Sequence, residues 1–422
     1  MAARISIICI WVCFITLLIL GIVMVASTGT GASDSEMAID AMAKQGKFAL
    51  FGIIVALVLS NIDYHIFRNK WVLWSIWGIC VLLLVLCYMP VIGKEVNGEH
   101  RWINLRVFTL QPSELAKSVL MITMANWYAT HREMAGTFIK GFIMPGIIFG
   151  IPLLLILFEK DMGTAAALAV AGFCVMYVAG SRFWVLALTI VMGFMVLLDQ
   201  ATGSHNRMER IYAWHNPEAH AGGAGRQQWI AHLAMQDGGT TGVGLGNSIY
   251  KYGSLPYAHT DFIYAIVGEE WGFIGSAGVL LLFSTLTLAG SVMALQLKDT
   301  FGRLLAIGLV CTIFWPALLN IMVVTAMLPN TGLPLPFISY GGTNLICTIA
   351  AIGLLTSIQR YTPIIQENLL PNNRNRIKRL SYVYPSHHHH CLWRYRRSSF
   401  PRHCRCTTAQ SHGPPPRAAY LS

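Results

Sequence analysis

The chain has 422 residues, of which 55% are hydrophobic and only 12% are charged, about half the charged share of an average soluble protein. This composition excludes a soluble globular domain and predicts an integral membrane protein. The formal net charge is +11, but ten Lys and Arg residues lie beyond residue 370, where there is no Asp or Glu. The rest of the chain is nearly neutral, so the overall charge does not indicate a nucleic-acid-binding protein.

Apolar stretches long enough to cross a bilayer as helices recur along the chain. We predict ten spans, at residues 5–27, 46–66, 71–93, 113–130, 139–158, 162–180, 183–200, 260–290, 304–328 and 335–358. The stretch at 113–130 is the most polar of them, and a surface helix is the alternative interpretation there. The predicted fold is an all-α polytopic membrane domain over residues 1–362.

An even number of spans places both ends of this domain on one side of the membrane. Lys and Arg are somewhat more frequent in the loops on that side, and the basic tail adds to the difference. Because positively charged loops stay in the cytoplasm, we expect both termini there and the long loop at about 201–259 outside. Residues 363–422 mix His, Arg, Cys and Pro without helical periodicity, which predicts a disordered cytoplasmic tail.

Polar residues gather in segments that this topology brings to the outer face. These segments lie at 100–117, 159–164, 201–259, 259–261 and 334–342. Ionisable groups at the edge of a membrane are costly, so each of them is a candidate for function. Polar side chains from five separate loops on one face predict a single site there.

Asp261 lies at the predicted start of a span and has two interpretations. It is either an acid stabilised by the helix dipole, with Thr260 as the helix cap, or a general base at the mouth of a groove. Glu269 and Glu270 follow eight and nine residues later, about 12–14 Å further along a helix. On a straight helix Glu270 points away from Asp261 and Glu269 lies about 80° round from it, so neither shares its site. We assign them to interhelical hydrogen bonds or pairing with a buried partner, with Glu270 reaching a cavity on the other face as the functional alternative.

Four further positions keep a structural and a functional interpretation side by side. Glu114 and Lys117 share a helix face, as a local ion pair or as a site where Lys117, with Arg101 nearby, receives phosphate. Asp161 lies either in a solvated tight turn or at a metal or hydrogen-bond position near a diphosphate. Ser339, at the start of the last span, fits helix packing or a contact with pyrophosphate or lipid.

A series of motifs in a fixed order resembles one known family. The motifs are RWINL, QPSELAK, DMGTA, GVGLGNS, LPYAHTDFIYAIVGEEWGFIG and TGLPLPFISYGG. GVGLG alone looks like a dinucleotide fingerprint, but no strand–helix unit surrounds it. Together the motifs resemble the SEDS proteins (shape, elongation, division and sporulation), represented by RodA, FtsW and SpoVE. The resemblance runs from about residue 5 to 360 and is closer to the FtsW and SpoVE members.

The resemblance implies a ten-helix glycosyltransferase of the bacterial cytoplasmic membrane that polymerises lipid II into peptidoglycan at the division septum. It implies lipid II, undecaprenyl diphosphate-linked glycan, membrane lipid, a class B penicillin-binding protein and other divisome proteins as partners. The family's essential aspartate falls on Asp261, and its other polar groove residues fall on Glu114, Lys117, Asp161 and Ser339. Lys160 stands where the family usually has Pro, and Tyr257 where it usually has Glu.

The expected reaction is glycosyl transfer between two lipid-linked sugars. Asp261 is the base that activates a sugar hydroxyl. Lys117, Arg101 or a divalent cation, Mg²⁺ or Mn²⁺, held near Asp161 would stabilise the departing diphosphate. Two other functions stay open at this point: a transporter, in particular a lipid II flippase, and a non-catalytic scaffold for a penicillin-binding protein.

Overall fold

The structure of the protein is a computed structural model. It describes residues 2–29, 35–89, 92–96, 99–104, 109–202, 205–220, 222–223, 225–252 and 255–362. The predicted tail at 363–422 lies outside the described residues.

The described residues form a helical bundle, and each of the ten predicted spans corresponds to one of its helices. The helices are α1 Ala2–Gly29, α2 Ser35–Asn61, α3 Lys70–Leu86, α4 Pro112–Thr130, α5 Met144–Phe158, α6 Met162–Val178, α7 Phe183–Thr202, α8 His205–His215, α9 Arg226–Gly238, α10 Ile263–Leu295, α11 Thr300–Val324 and α12 Gly342–Tyr361. The spans are α1 to α7 and α10 to α12. The last span begins later than predicted, because residues 335–341 form a turn that leads into α12.

Length and apolar composition support a multi-pass membrane protein. Six helical stretches of the described residues are long and apolar enough to cross a bilayer, and α3 and α6 are apolar but shorter. Large apolar side chains cover the outside of the bundle, for example Trp71, Trp184 and Phe273, which are 85%, 82% and 70% exposed. Side chains of this kind are stable on a surface that faces lipid rather than water.

Helix α4 is an interior helix, so the alternative of a surface helix at 113–130 is wrong. It packs against α3, α6, α11 and α12, and Glu114, Lys117 and Asn126 are all buried in it. The helix carries these polar groups into the bundle, and two of them, Glu114 and Lys117, pair with each other on the same helix.

Two regions contain secondary structure that the sequence reading did not predict. Residues 93–110 include a small antiparallel sheet of β1 Gly93–Val96, β2 Glu99–Asn104 and β3 Thr109–Leu110, with the middle strand pairing on both sides. The long loop at 201–259 contains α8 and α9. The elements in both regions are too short or too polar to be predicted as membrane-spanning helices.

Candidate active site

Asp261 lies in the turn that leads into α10, which begins at Ile263. The Thr260 hydroxyl donates to Asp261 Oδ1 at 2.8 Å, while Phe262 occupies the N-cap position without a side-chain cap bond. Thr260 is therefore not the helix cap that one interpretation predicted. The side-chain amide of Asn320, on α11, donates to the Asp261 carbonyl at 2.7 Å and anchors the backbone at this residue.

Ser339 joins the turn before α12 to the segment that carries Asp261. Its hydroxyl donates to the Thr260 carbonyl at 2.6 Å and accepts from the Leu335 amide at 2.7 Å. One residue on, the Tyr340 amide donates to the His259 carbonyl at 2.9 Å. These bonds hold the backbone on both sides of Thr260, so Ser339 positions the residue next to Asp261.

Arg101 and Asp161 form a second polar cluster, in which Asp161 is the N-cap of α6. Asp161 Oδ1 accepts from the Thr164 amide at 3.1 Å and lies 3.7 Å from Arg101 Nη1. Arg101 Nη2 also donates to the Lys160 carbonyl at 2.7 Å. The side-chain amide of Gln111 donates to Asp161 Oδ2 at 3.4 Å, which brings the start of α4 to the same place.

The two carboxylates of the turn at residues 159–161 are buried while Lys160 between them is exposed, so the turn is only partly solvated. Glu159 and Asp161 are 1% and 3% exposed. Burial, together with the nearby Asp161 charge, raises the pKa of Glu159, at the end of α5, to about 9, so this side chain is neutral near pH 7. Lys160 has a φ of 63°, a conformation that the proline usual in the family cannot adopt.

The surroundings of Asp161 fit a guanidinium better than a metal ion. Within the described ranges, no group of three or more His, Cys, Asp and Glu side chains is arranged to hold a metal. Arg101 is the cation beside this carboxylate, and the Thr164 amide takes up one of its oxygens. A divalent cation at Asp161 therefore stays a prediction, and no step proposed below depends on it.

Glu114 and Lys117 form the ion pair that their spacing predicts. Lys117 Nζ lies 2.7 Å from Glu114 Oε2, and the two side chains are 6% and 1% exposed. A pair this deeply buried loses the hydration of both charges, so its net contribution to the stability of the fold is small. Ionisable groups kept at such a cost are candidates for a functional role.

Packing contacts connect these clusters at one end of the bundle. Asn320 donates to the Leu333 carbonyl at 2.6 Å as well as to Asp261. A Cβ atom at Gly163, two residues after Asp161, would lie 2.7 Å from Leu333 Cγ, so α6 begins in direct contact with the segment that flanks Asp261. Predicted site residues from separate loops are thus brought to a common end of the structure.

Glu269 and Glu270 turn away from Asp261, as their helical spacing predicts. Glu270 pairs with Lys251 at 3.0 Å, and Glu269 accepts from the Ser248 hydroxyl at 2.5 Å. Both carboxylates therefore pair with the loop that precedes Asp261. Lys251 and Asn320 were both missed by the sequence reading, since neither belongs to a motif with a recognisable chemical function.

The fold and this buried set of carboxylates and cations define a polytopic helical membrane protein with a polar site at one end of its bundle. The model of the FtsW, RodA and SpoVE family, described as "Cell cycle protein", matches residues 7–364. The chain belongs to this family.

Two curated relatives are more than a third identical to the chain over the aligned residues. Stage V sporulation protein E of Bacillus subtilis is 36% identical over 358 residues, which cover 82% of this chain and 96% of the relative. The "Probable peptidoglycan glycosyltransferase FtsW" of Trichlorobacter lovleyi is 38% identical over 342 residues, covering 80% and 89%.

Solved structures share the fold. A chain from a structure described as "Structural coordination of polymerization and crosslinking by a peptidoglycan synthase complex" matches with a TM-score of 0.70 and 25% identity, covering 83% of this chain and 96% of that one. The rod shape determining protein RodA of Thermus thermophilus matches with a TM-score of 0.61 and 24% identity, covering 83% and 95%.

Proposed function

We propose that the protein is a peptidoglycan glycosyltransferase that polymerises lipid II into glycan strands during septal wall synthesis in cell division. The observation that carries the proposal is the anchored Asp261 at the same end of the bundle as two buried cations, Arg101 and Lys117. Relatives named as peptidoglycan glycosyltransferases and the cell-cycle description of the family support it.

In the proposed reaction, the 4-hydroxyl of one lipid-linked sugar attacks the anomeric carbon of the growing strand. Asp261 takes the hydroxyl proton, and a positioned base of this kind contributes a factor of about 10²–10⁴. The bond from the anomeric carbon to the diphosphate oxygen breaks, and undecaprenyl diphosphate leaves. Direct displacement with one base inverts the configuration at the anomeric carbon.

Arg101 and Lys117 are proposed to stabilise the charge that develops on the leaving diphosphate. Each is held by a neighbouring carboxylate, Asp161 or Glu114, so its position is set before substrate binds and no reorganisation is needed during the reaction. Ser339 is proposed to act through the backbone next to Asp261. The lipid-facing helices would accommodate the polyprenyl chains.

We further propose that the site faces the outside of the cytoplasmic membrane and that both termini lie in the cytoplasm. The partner is proposed to be a class B penicillin-binding protein, whose transpeptidase crosslinks the new strands. The structural neighbour described as coordinating polymerization and crosslinking supports a partner of this kind.

The test is glycan synthesis from purified lipid II by the protein with its penicillin-binding partner. We expect polymer from the wild type and none from Asp261→Asn. Asp237→Asn is the matched control, because Asp237 is an aspartate at the end of α9, is exposed, and accepts a hydrogen bond from the Tyr250 hydroxyl at 2.6 Å. Full polymerisation by Asp261→Asn would refute the assignment of the base.

The two rival functions give different results in parallel assays. A flippase would move lipid II across proteoliposome membranes without forming polymer. A scaffold would support partner binding and polymerisation by the partner whether or not residue 261 is an aspartate.

A further inference from the structure

Helix α10 is interrupted at Gly272, nine residues after its start. Gly272 has a φ of 68° and a ψ of −163°, so the helix consists of two halves. In a continuous helix, the amides of Phe273 and Ile274 would donate to the carbonyls of Glu269 and Glu270. Two of the helical bonds that would join the first half, residues 263–271, to the longer second half are therefore replaced, although the Tyr264 hydroxyl still donates to the Ser276 carbonyl across the interruption at 3.0 Å.

A loop backbone lies in the interruption and takes up the released groups. Phe273 and Ile274 donate to the carbonyls of Gly239 and Thr240 at 2.9 and 3.2 Å. In return, the carbonyls of Glu269 and Glu270 accept from the amides of residues 243 and 244, both at 3.0 Å. The hydrogen bonds that one turn of α10 would make within itself are thus made instead between α10 and the loop at residues 239–244.

The GVGLG motif at 242–246 is explained by this close approach. Gly242, Gly244 and Gly246 have φ values of 82°, 96° and 85°, which glycine adopts without strain. A Cβ atom at Gly242 would lie 2.2 Å from the Glu270 carbonyl oxygen. Gly242 thus allows the loop backbone to touch the helix, and the positive φ values of all three residues account for the glycines without a nucleotide.

A buried ion pair fastens the first half of α10 to both the loop and α1. Lys251 Nζ lies 3.0 Å from Glu270 Oε1, and both side chains are 0% exposed. The Ser27 hydroxyl, on α1, donates to the same carboxylate at 2.7 Å. Lys251 Nζ also donates to the Gly246 carbonyl at 2.6 Å, so the pair closes the loop that enters the interruption.

We propose that Lys251, Glu270 and Ser27 are positioning residues for Asp261. Asp261 lies between Lys251 and residues 263–271, so both ends of its segment depend on this pair. Because the interruption at Gly272 weakens the support of a continuous helix, these contacts add to those of Asn320 and Ser339 in holding the segment that carries the carboxylate. A displacement of about 1 Å can cost a factor of about 10² in rate. The inference rests on the proposed role of Asp261 as the base.

The experiment compares Lys251→Met, Glu270→Gln and the double variant in lipid II polymerisation, with kcat, KM and the melting temperature measured for each. Each single variant leaves a buried charge or polar partner unmatched, so both stability and kcat fall. In the double variant no charge is left unpaired, and stability recovers. We expect kcat to stay about 10–100-fold below the wild type while KM changes by less than about threefold.

The separation of kcat from stability distinguishes positioning from a purely structural role. Recovery of kcat together with the melting temperature in the double variant would overturn the inference. Asp299→Asn is the stability control: Asp299 caps α11 through the Gly302 amide and accepts from the Tyr64 hydroxyl, both at 2.9 Å. If the wild type makes no polymer, both the proposed function and this inference are refuted. If kcat is unchanged in all three variants, only the inference is refuted.

Hydrogen exchange gives a readout that needs no substrate. We expect the amides of residues 263–271 to exchange at least about tenfold faster in both single variants and in the double variant. The amides of α11 serve as the internal reference. Unchanged protection of residues 263–271 in the double variant would count against the proposal even if the rates fell.

Discussion

Replacement of Asn320 by Leu tests how the backbone of Asp261 is held. Asn320 is 1% exposed, and its amide donates at 2.7 and 2.6 Å to the carbonyls of Asp261 and Leu333. Leu has the same branched arrangement of side-chain heavy atoms but no donor, so both carbonyls lose a partner. A buried carbonyl without a partner costs about 1–3 kcal/mol, and since the Asp261 bond is only partly buried we expect a total of about 2–4 kcal/mol.

The measurement is the free energy of unfolding in detergent, together with the polymerisation rate. Thr312→Val is the matched control, because Thr312 lies on the same helix, is 5% exposed, and donates only within that helix, to the Leu309 carbonyl at 2.7 Å. We expect the control to lose less than about 1 kcal/mol. An Asn320→Leu protein as stable and as active as this control would refute the reasoning.

Two further predictions concern buried ionisable groups. Lys117→Met leaves Glu114 buried without its cation, and we expect a loss of about 3–5 kcal/mol in the free energy of unfolding. The double variant Lys117→Met with Glu114→Leu should regain most of that stability but no polymerisation, and an active double variant would contradict the role of Lys117. For Glu159, the pKa of about 9 lies above the ordinary 4.5, so the folded protein binds the extra proton and its stability falls as pH rises between these values. Glu159→Gln should flatten that decline in denaturation curves taken across the range; an unchanged slope would argue that Glu159 ionises normally.

For several polar residues the sequence predicts a site position, and only the contacts in the structure show which group each residue binds. Ser339 fits both packing and ligand contact in the sequence, and its hydroxyl is bonded to the backbone of Thr260 and Leu335. Asp161 was a metal candidate, and its neighbour is Arg101. In each case the residue type is compatible with several partners, and the partner comes from a distant part of the chain.

The order of the hydrophobic spans follows from the sequence alone, because bilayer thickness sets the length of a span. The sequence also predicts which loops share a face, because the chain crosses the membrane in alternating directions. The i,i+3 spacing likewise predicts the pair of Glu114 and Lys117, and helical spacing separates Glu269 and Glu270 from Asp261. These are local regularities, which depend on few residues at a time.

Only the tertiary structure decided that α4 is buried, that α10 is interrupted at Gly272, and that Lys251 pairs with Glu270 and Ser27. Ser27 and Glu270 are 243 residues apart, and no periodicity in the chain connects them. Hydrogen bonds and ion pairs of this kind depend on where complete helices pack, and packing is a property of all the helices together. The position of Asp261 is set by such contacts, which is why the sequence could indicate the residue but not what holds it.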